Sequence, residues 1–247
     1  NDSVKSLNSL VWETEEVVDM VEWMRNYNKD PAHKSKVKFY GFDIQSAHNN
    51  SARILDYIKK VDTNNFLEFQ KVLLDVDNNR IDLSSKDMLV YIKENTEELK
   101  TVFKKNKQSY IKKSSISEYE IASQDLSVII QFIEYTTIKN VTDLKEVTKR
   151  TNMRDYYMAQ NVKWILDYEK QFGNDKIMLW AQNGHVTKKM PNYTSMGENL
   201  KKIFNDKLYV IGFDFYEGSF RAIPSDNRGN YLSTHFAKFN VNKPDIN

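Results

Sequence analysis

The chain has no cysteine, and its 247 residues include only seven glycines and four prolines. Without cysteine there are no disulfides, no thiolate metal ligands and no cysteine nucleophile, which fits a cytoplasmic protein, with secretion as the alternative. So little Gly and Pro excludes a flexible linker and a low-complexity chain. Charge of one sign is missing as well: 36 Lys and Arg face 34 Asp and Glu, a net charge of +2, so no global field draws in nucleic acid or an anionic membrane. No apolar run approaches the roughly 20 residues that a membrane helix requires. The expected partners therefore include neither nucleic acid nor membrane, and composition leaves the oligomeric state open. The sequence opens Asn1-Asp2 rather than with Met, which suggests material removed upstream and leaves any targeting peptide unreadable.

Aromatic residues are plentiful, with 14 Tyr, 13 Phe and 4 Trp. Three apolar stretches read as strands. Residues 36–45 alternate at first and end in Gly41, Asp43 and Gln45. Residues 177–181 form a short apolar run closed by Gln182, Asn183, Gly184 and His185. Residues 207–216 are the third, turning at Glu217-Gly218 into 218–223, a pair that reads as a hairpin. Most of the chain between the first two strands has helical spacing. Helices are expected at 14–25, from Ala47 to about Val61, and over 66–73. A single long helix is expected from a Ser84-Ser85 cap to Tyr110, followed by others over about 117–137, 152–166 and 199–204. Residues 225–229 are dense in turn formers and read as an exposed loop. These elements predict an α/β fold, a mostly parallel sheet flanked by helices, with a large helical insertion at about 47–150. The lysines between Lys104 and Lys113 read as a solvated helix end.

No Gly-rich phosphate loop, Gly-x-Ser-x-Gly elbow or His-Glu-x-x-His motif occurs, which argues against nucleotide binding by such loops, an ordinary serine hydrolase and a zincin. Polar groups at strand exits are the remaining chemistry, because open α/β sheets place their sites there. Asp43, Gln45, Arg154, Gln182, Asn183 and His185 are expected to line one cleft at the carboxyl end of the sheet. Asn161 stands two helical turns from Arg154 and could share that cleft. Asp43 reads equally as a turn or cap residue, Arg154 as a surface ion pair, and a lone His as structural.

Six motifs carry a resemblance: Trp12-Glu-Thr-Glu-Glu16, Val21-Glu-Trp-Met-Arg-Asn-Tyr-Asn28, Phe39-Tyr-Gly-Phe-Asp-Ile-Gln45, Arg154-Asp-x-x-Met-Ala-x-Asn161, Leu179-Trp-Ala-Gln-Asn-Gly-His185 and Ser195-Met-Gly197. In order and spacing, from about Val11 to Ile223, they resemble the erythromycin esterase family, whose members are also labelled succinoglycan biosynthesis proteins. The resemblance implies an α/β fold with inserted helices and a bacterial hydrolase of antibiotic resistance that opens a macrolide lactone with histidine-activated water. It makes His185 the catalytic candidate, and Asp43, Gln45, Arg154, Asn161, Gln182, Asn183 and Met196 the residues about a small-molecule ester. No cofactor is established, and a divalent metal is left open. Two departures qualify this. The family's Gly-Glu-x-x-His-Gly segment has no counterpart, so residues 1–247 read as a domain of the family lacking its N-terminal catalytic segment. Gln182 also stands where the family has a histidine, and an amide cannot act as a base. A binding or accessory protein that has lost the reaction is the alternative reading.

Overall fold

A computed structural model describes residues 12, 14–77, 85–138, 143–226, 232–233 and 235–242, with the backbone alone at 75 and 77. Helix α1 runs over Glu15–Lys29, α2 over His48–Val61, α3 over Phe66–Asp77, α4 over Lys86–Lys105, α5 over Lys107–Lys113, α6 over Ile116–Thr137 and α7 over Leu144–Lys170. The short α8 (Asn183–Val186) and α9 (Met196–Phe204) follow, then strands β1 (Gly218–Ala222) and β2 (Ala237–Val241). Polar residues start the helices by accepting orphan backbone N–H groups: Thr14 from Val17, Ser85 from Met88, Ser115 from Glu118 and Ser195 from Glu198. No helix among the described residues is long and apolar enough to cross a membrane.

The helical expectation over 47–150 is met in kind, with shifted boundaries. The long helix expected to Tyr110 breaks at Asn106, which caps α4 through its backbone N–H and begins α5. Its cap is Ser85; Ser84 lies outside the described residues. Helix α7 begins eight residues before the expected position 152, at a cap formed by Asp143. Helices α2 to α6 enclose one apolar cluster that includes Ile54, Ile58, Leu73, Leu89, Ile92, Leu126, Ile129 and Ile133, each fully buried. Phe103 is its aromatic centre, with the rings of Tyr57, Phe69, Tyr110 and Tyr119 at 5.4 to 6.4 Å. Asp125 on α6 is buried and accepts hydrogen bonds from Asn50 and Arg53 on α2, so the charge is paired rather than stranded. Burial still pushes its carboxyl above the ordinary value, more than Arg53 and Asn50 pull it down.

The mostly parallel sheet is not found. Among the described residues the only sheet is the antiparallel pair β1 and β2, in the register Gly218 to Val241 through Ala222 to Ala237. Residues 207–216 therefore make no hairpin with 218–223, whose partner comes from the tail. The expected exposed loop at 225–229 lies outside the described residues from 227 onward. Apart from Lys207, which ends a 3-10 turn over Asn205–Lys207, the three stretches read as strands do run without helix, but no backbone hydrogen bond joins one to another. The physical reason is that an apolar run specifies extended backbone locally, while a ladder needs a neighbouring strand in register. Here one side of each stretch packs on helices instead: Phe42, Leu179, Ala181 and Leu208 lie against Met158, Ala159 and Val162 of α7 and Met196 and Leu200 of α9.

Glu169, near the end of α7, fastens the first of these stretches. It accepts from Tyr40 Oη at 2.5 Å, Lys38 Nζ at 2.9 Å and Asn174 Nδ2 at 2.7 Å. Burial raises the Glu169 pKa, but these bonds and the Lys38 charge outweigh it and hold the carboxyl below its ordinary 4.5. A carboxylate with a depressed folded-state pKa adds stability that is present above its unfolded value and is lost as pH falls through the folded one. Glu169→Gln is therefore expected to cost about 1–3 kcal/mol at neutral pH and to flatten the loss of stability below pH 4.5. Urea unfolding of both proteins from pH 7 to pH 3 checks this, and parallel acid limbs would contradict it.

Candidate functional site

The site is built on α7, where two consecutive residues point to different partners. Arg154 donates from Nε to Asp43 Oδ1 at 2.9 Å and from Nη2 to Asp43 Oδ2 at 2.6 Å, a two-pronged pair. Asp43 also accepts from the backbone N–H of Ile44 at 2.7 Å, which fixes the carboxylate at the end of the 36–44 stretch. Burial works against the Arg154 charge, yet the hydrogen bonds and charge of Asp43 more than offset it and raise its pKa above the ordinary value.

Asp155 is fully buried. Its position follows from the helical period: Asp155, Met158, Ala159, Val162, Ile165 and Leu166 make one buried stripe, so the carboxylate is carried into an apolar layer and must be met there. His185 meets it with Nδ1 at 2.8 Å from Oδ1, and the backbone N–H of Met196 donates to Oδ2 at 2.8 Å. Met196 is the first residue of α9, so the carboxylate also lies at the positive end of that helix. An ionised carboxylate only accepts hydrogen bonds, so Nδ1 of His185 carries its proton, and in the neutral ring Nε2 is left with a lone pair. Among the described residues Nε2 has no hydrogen-bond partner, and the side chain is 16% exposed.

Close contacts hold this arrangement. Tyr193 Oη donates to the Gly184 carbonyl at 3.0 Å, Ser195 Oγ donates to the Thr187 carbonyl at 2.6 Å, and the Thr194 N–H donates to Asn152 Oδ1 at 2.7 Å. Burial raises the Tyr193 pKa, and the Asp155 charge adds to that, so the phenol keeps its proton. Gly197 lets α9 approach: a Cβ there would lie 2.1 Å from the Val186 carbonyl oxygen and 2.3 Å from that of Thr187.

Of the residues expected in one cleft, Asp43 and Arg154 meet each other, and His185 instead bonds Asp155, the neighbour of Arg154 in sequence. Gln182 is exposed, and its carbonyl accepts the N–H groups of His185 and Val186 at the start of α8. Gln45 is exposed. Asn183 clamps the third extended stretch, donating to the Phe213 carbonyl at 2.6 Å and accepting the Phe213 N–H at 3.2 Å. Asn161 is buried with its whole capacity in use: it donates to the Phe42 carbonyl and Gln131 Oε1, and accepts from Gln124 and Gln131. Met196 contributes a buried side chain and a backbone N–H. The placement of these groups at the carboxyl end of a parallel sheet is corrected, since no such sheet exists among the described residues. Nor, among them, do three or more His, Asp or Glu side chains gather where they could hold a metal ion.

Sequence reasoning passed over Asp155 and Tyr193 as site residues. The signal for Asp155 was present, because a carboxylate on the apolar stripe of a helix needs a buried partner. Tyr193 carried none beyond its proximity to Ser195.

Gly197→Ala is expected to destabilise the protein by about 1–3 kcal/mol, because the clash is with backbone and α9 must shift. The same shift draws the Met196 N–H from Asp155 and releases His185. Urea unfolding with NMR of the His185 ring checks both, and a variant of unchanged stability and ring signals would contradict the assigned role of Gly197.

The erythromycin esterase family model matches residues 1–244. Among solved structures, the chain resembles a succinoglycan biosynthesis protein at 22% identity and a TM-score of 0.74, covering 96% of this chain and 56% of that one. It resembles a Bacillus cereus protein at 24% identity and a TM-score of 0.73, over 93% and 55% of the two chains. A third is the erythromycin esterase EreC, in its open conformation with a histidine replaced by asparagine, at 16% identity and a TM-score of 0.65 over 90% and 58%. The chain thus spans little more than half the length of these proteins. No curated protein matches it. With Arg154-Asp155, His185 and Ser195-Met196-Gly197 joined in one bonded unit and the family's pattern running along nearly the whole chain, this protein belongs to the erythromycin esterase family.

Proposed function

We propose that the protein is an ester hydrolase site of the macrolide-lactone type, in which His185 activates water in the complete family fold. The observation that supports this best is the pair of His185 and buried Asp155. Such a carboxylate fixes the ring with Nδ1 protonated and Nε2 basic, and stabilises the imidazolium formed when Nε2 takes a proton. In the reaction, water attacks the ester carbonyl while its proton passes to Nε2. The tetrahedral intermediate then breaks the acyl carbon–oxygen bond, and the proton is returned to the departing alkoxide. With a lactone the carboxylic acid and the alcohol stay on one ring-opened hydroxy acid, and one water is consumed. Arg154 neighbours Asp155 in sequence, and its charge is paired with the carboxylate of Asp43.

A second reading, a small-molecule-binding or accessory protein, is favoured by one specific residue. Gln182 occupies the place of the family's first histidine and cannot move a proton at neutral pH. Residues 1–247 also hold no counterpart of the family's Gly-Glu-x-x-His-Gly segment, and for both reasons they are expected by themselves to give no turnover of erythromycin.

The test is incubation with erythromycin, followed by mass spectrometry for the gain of one water. In the complete fold, His185→Asn is expected to lower kcat/KM by about 100- to 10,000-fold with helical content unchanged. An unaltered kcat/KM would remove His185 from the reaction. Binding without any turnover in the complete fold would establish the accessory reading instead.

A further inference from the structure

Charge is spread unevenly over the helical part of the chain. From Leu99 to Ser117 there is no acidic residue, whereas Lys100, Lys104, Lys105, Lys107, Lys112 and Lys113 all fall within that span and are exposed. The fold gathers them at one end of the cluster made by α2 to α6. Lys113 Nζ donates to the Val61 carbonyl at 2.6 Å, where α2 finishes, and Tyr110 Oη donates to Asp62 Oδ2 at 2.6 Å. The ring of Phe69, in the first turn of α3, lies 6.4 Å from that of Phe103 near the end of α4. The end of α2, the start of α3, the end of α4, the whole of α5 and the start of α6 thus meet in one place. Lys59 and Lys60, in the last turn of α2, belong to the same end.

Part of this charge answers the helices themselves. A helix C-terminus presents roughly half a negative charge, so the ends of α2, α4 and α5 together match only about one or two lysines. Nearby carboxylates add little. Glu118 pairs with Lys60 at 2.7 Å, Asp62 accepts from Tyr110 and Asn65, and Glu68 on α3 lies in solvent. Among the described residues the ammonium groups of Lys59, Lys100, Lys104, Lys105 and Lys112 meet neither a carboxylate nor another acceptor. Since the whole chain carries a net charge of only +2, this end is a local positive excess on a nearly neutral protein.

What this end lacks decides between anionic partners. It has no arginine, and its rings, those of Phe103, Tyr110 and Tyr119, are buried. Nucleic acids are held by arginine forks and by exposed rings on which bases stack, whereas a bilayer surface is a diffuse field of charge that lysine answers as a point charge. Two aliphatic side chains stand exposed at the same end: Leu67, at the start of α3, is 74% exposed and Ile116, at the start of α6, is 56% exposed. Flanked by lysines, they suit the boundary between headgroups and acyl chains. We propose that this end of the helical cluster docks on the surface of an anionic lipid bilayer, with the lysines on the headgroups and Leu67 and Ile116 just below them. The contact is peripheral and reversible, and it stands whether or not His185 is catalytic.

Co-sedimentation of the protein with vesicles tests this, comparing phosphatidylcholine alone with an equal mixture of phosphatidylcholine and phosphatidylglycerol. Binding is expected to the mixed vesicles only, and to weaken as salt is raised. Lys104→Gln, Lys105→Gln and Lys112→Gln together remove side chains that hold nothing within the fold, so helical circular dichroism should not change. Each lysine near an anionic surface is worth about five-fold in affinity, so the triple variant should bind about 30- to 100-fold more weakly. Gln at Lys188, Lys201 and Lys207, which lower the net charge equally at exposed positions elsewhere, should leave binding as it was. Leu67→Ser with Ile116→Ser should weaken binding while keeping its salt dependence. Equal binding to both kinds of vesicle, no binding to either, or equal loss in the two lysine triples would overturn the proposal. So would tighter binding of a single-stranded oligonucleotide than of the mixed vesicles, or full affinity in the Leu67 and Ile116 variant, since each would make the partner something other than a bilayer.

Discussion

The carboxylate of Asp155 is the constraint on which the rest of the site depends. It lies in an apolar layer with no access to water, so each of its oxygens must find a donor inside the protein. One finds the imidazole of His185 and the other the first N–H of α9. Three segments distant in sequence are thereby fixed at one point: the middle of α7, the turn after the second extended stretch, and the start of α9. Gly197 and the Ser195 cap follow from that closure, since α9 can present its N–H only by lying against the carbonyls of residues 186 and 187. Removing one donor would leave a buried charge short of a partner, which costs far more than an ordinary hydrogen bond contributes.

A second consequence is the division of labour between the two apolar clusters. The cluster within α2 to α6 gathers around Phe103, ringed by aromatic side chains, and Asp125 is tied to Arg53 beside it. The cluster on α7 and α9 is covered by the extended stretches, through Phe42, Leu179, Ala181 and Leu208. Helix α7 runs between the two and carries Arg154 and Asp155, while Gln124 and Gln131 of α6 grip Asn161 on the same helix. The dyad therefore sits on a well-braced helix.

This division also explains what could be read from the sequence. Helices are local: the apolar spacing of Leu89, Ile92, Leu99 and Phe103, or of Leu126, Ile129 and Ile133, marks a face without reference to anything else, and Ser85 and Ser115 mark the starts. The break at Asn106 was not visible, because apolar residues continue at helical spacing across it. Strand pairing is not local. Residues 177–181 and 207–216 carry the composition of buried strands, and they do run extended, but their neighbours in a sheet cannot be read from their own residues. Likewise β1 takes its partner from residues 237–241, a sequence-distant choice that the turn at Glu217-Gly218 did not announce. At the site, His185 and Arg154 stood out by type. Asp155 did not, because an acidic residue next to an arginine reads as surface charge until it is placed on the helical stripe that buries it.

The esterase-type reading turns on which nitrogen of His185 carries the proton, and nitrogen NMR of the neutral ring measures it. With Asp155 as acceptor, Nδ1 is protonated and Nε2 is the free base, and Asp155→Asn disturbs this assignment. A neutral ring protonated at Nε2, or one averaging between both tautomers in the wild-type protein, would show that Asp155 does not direct His185 and would contradict the dyad.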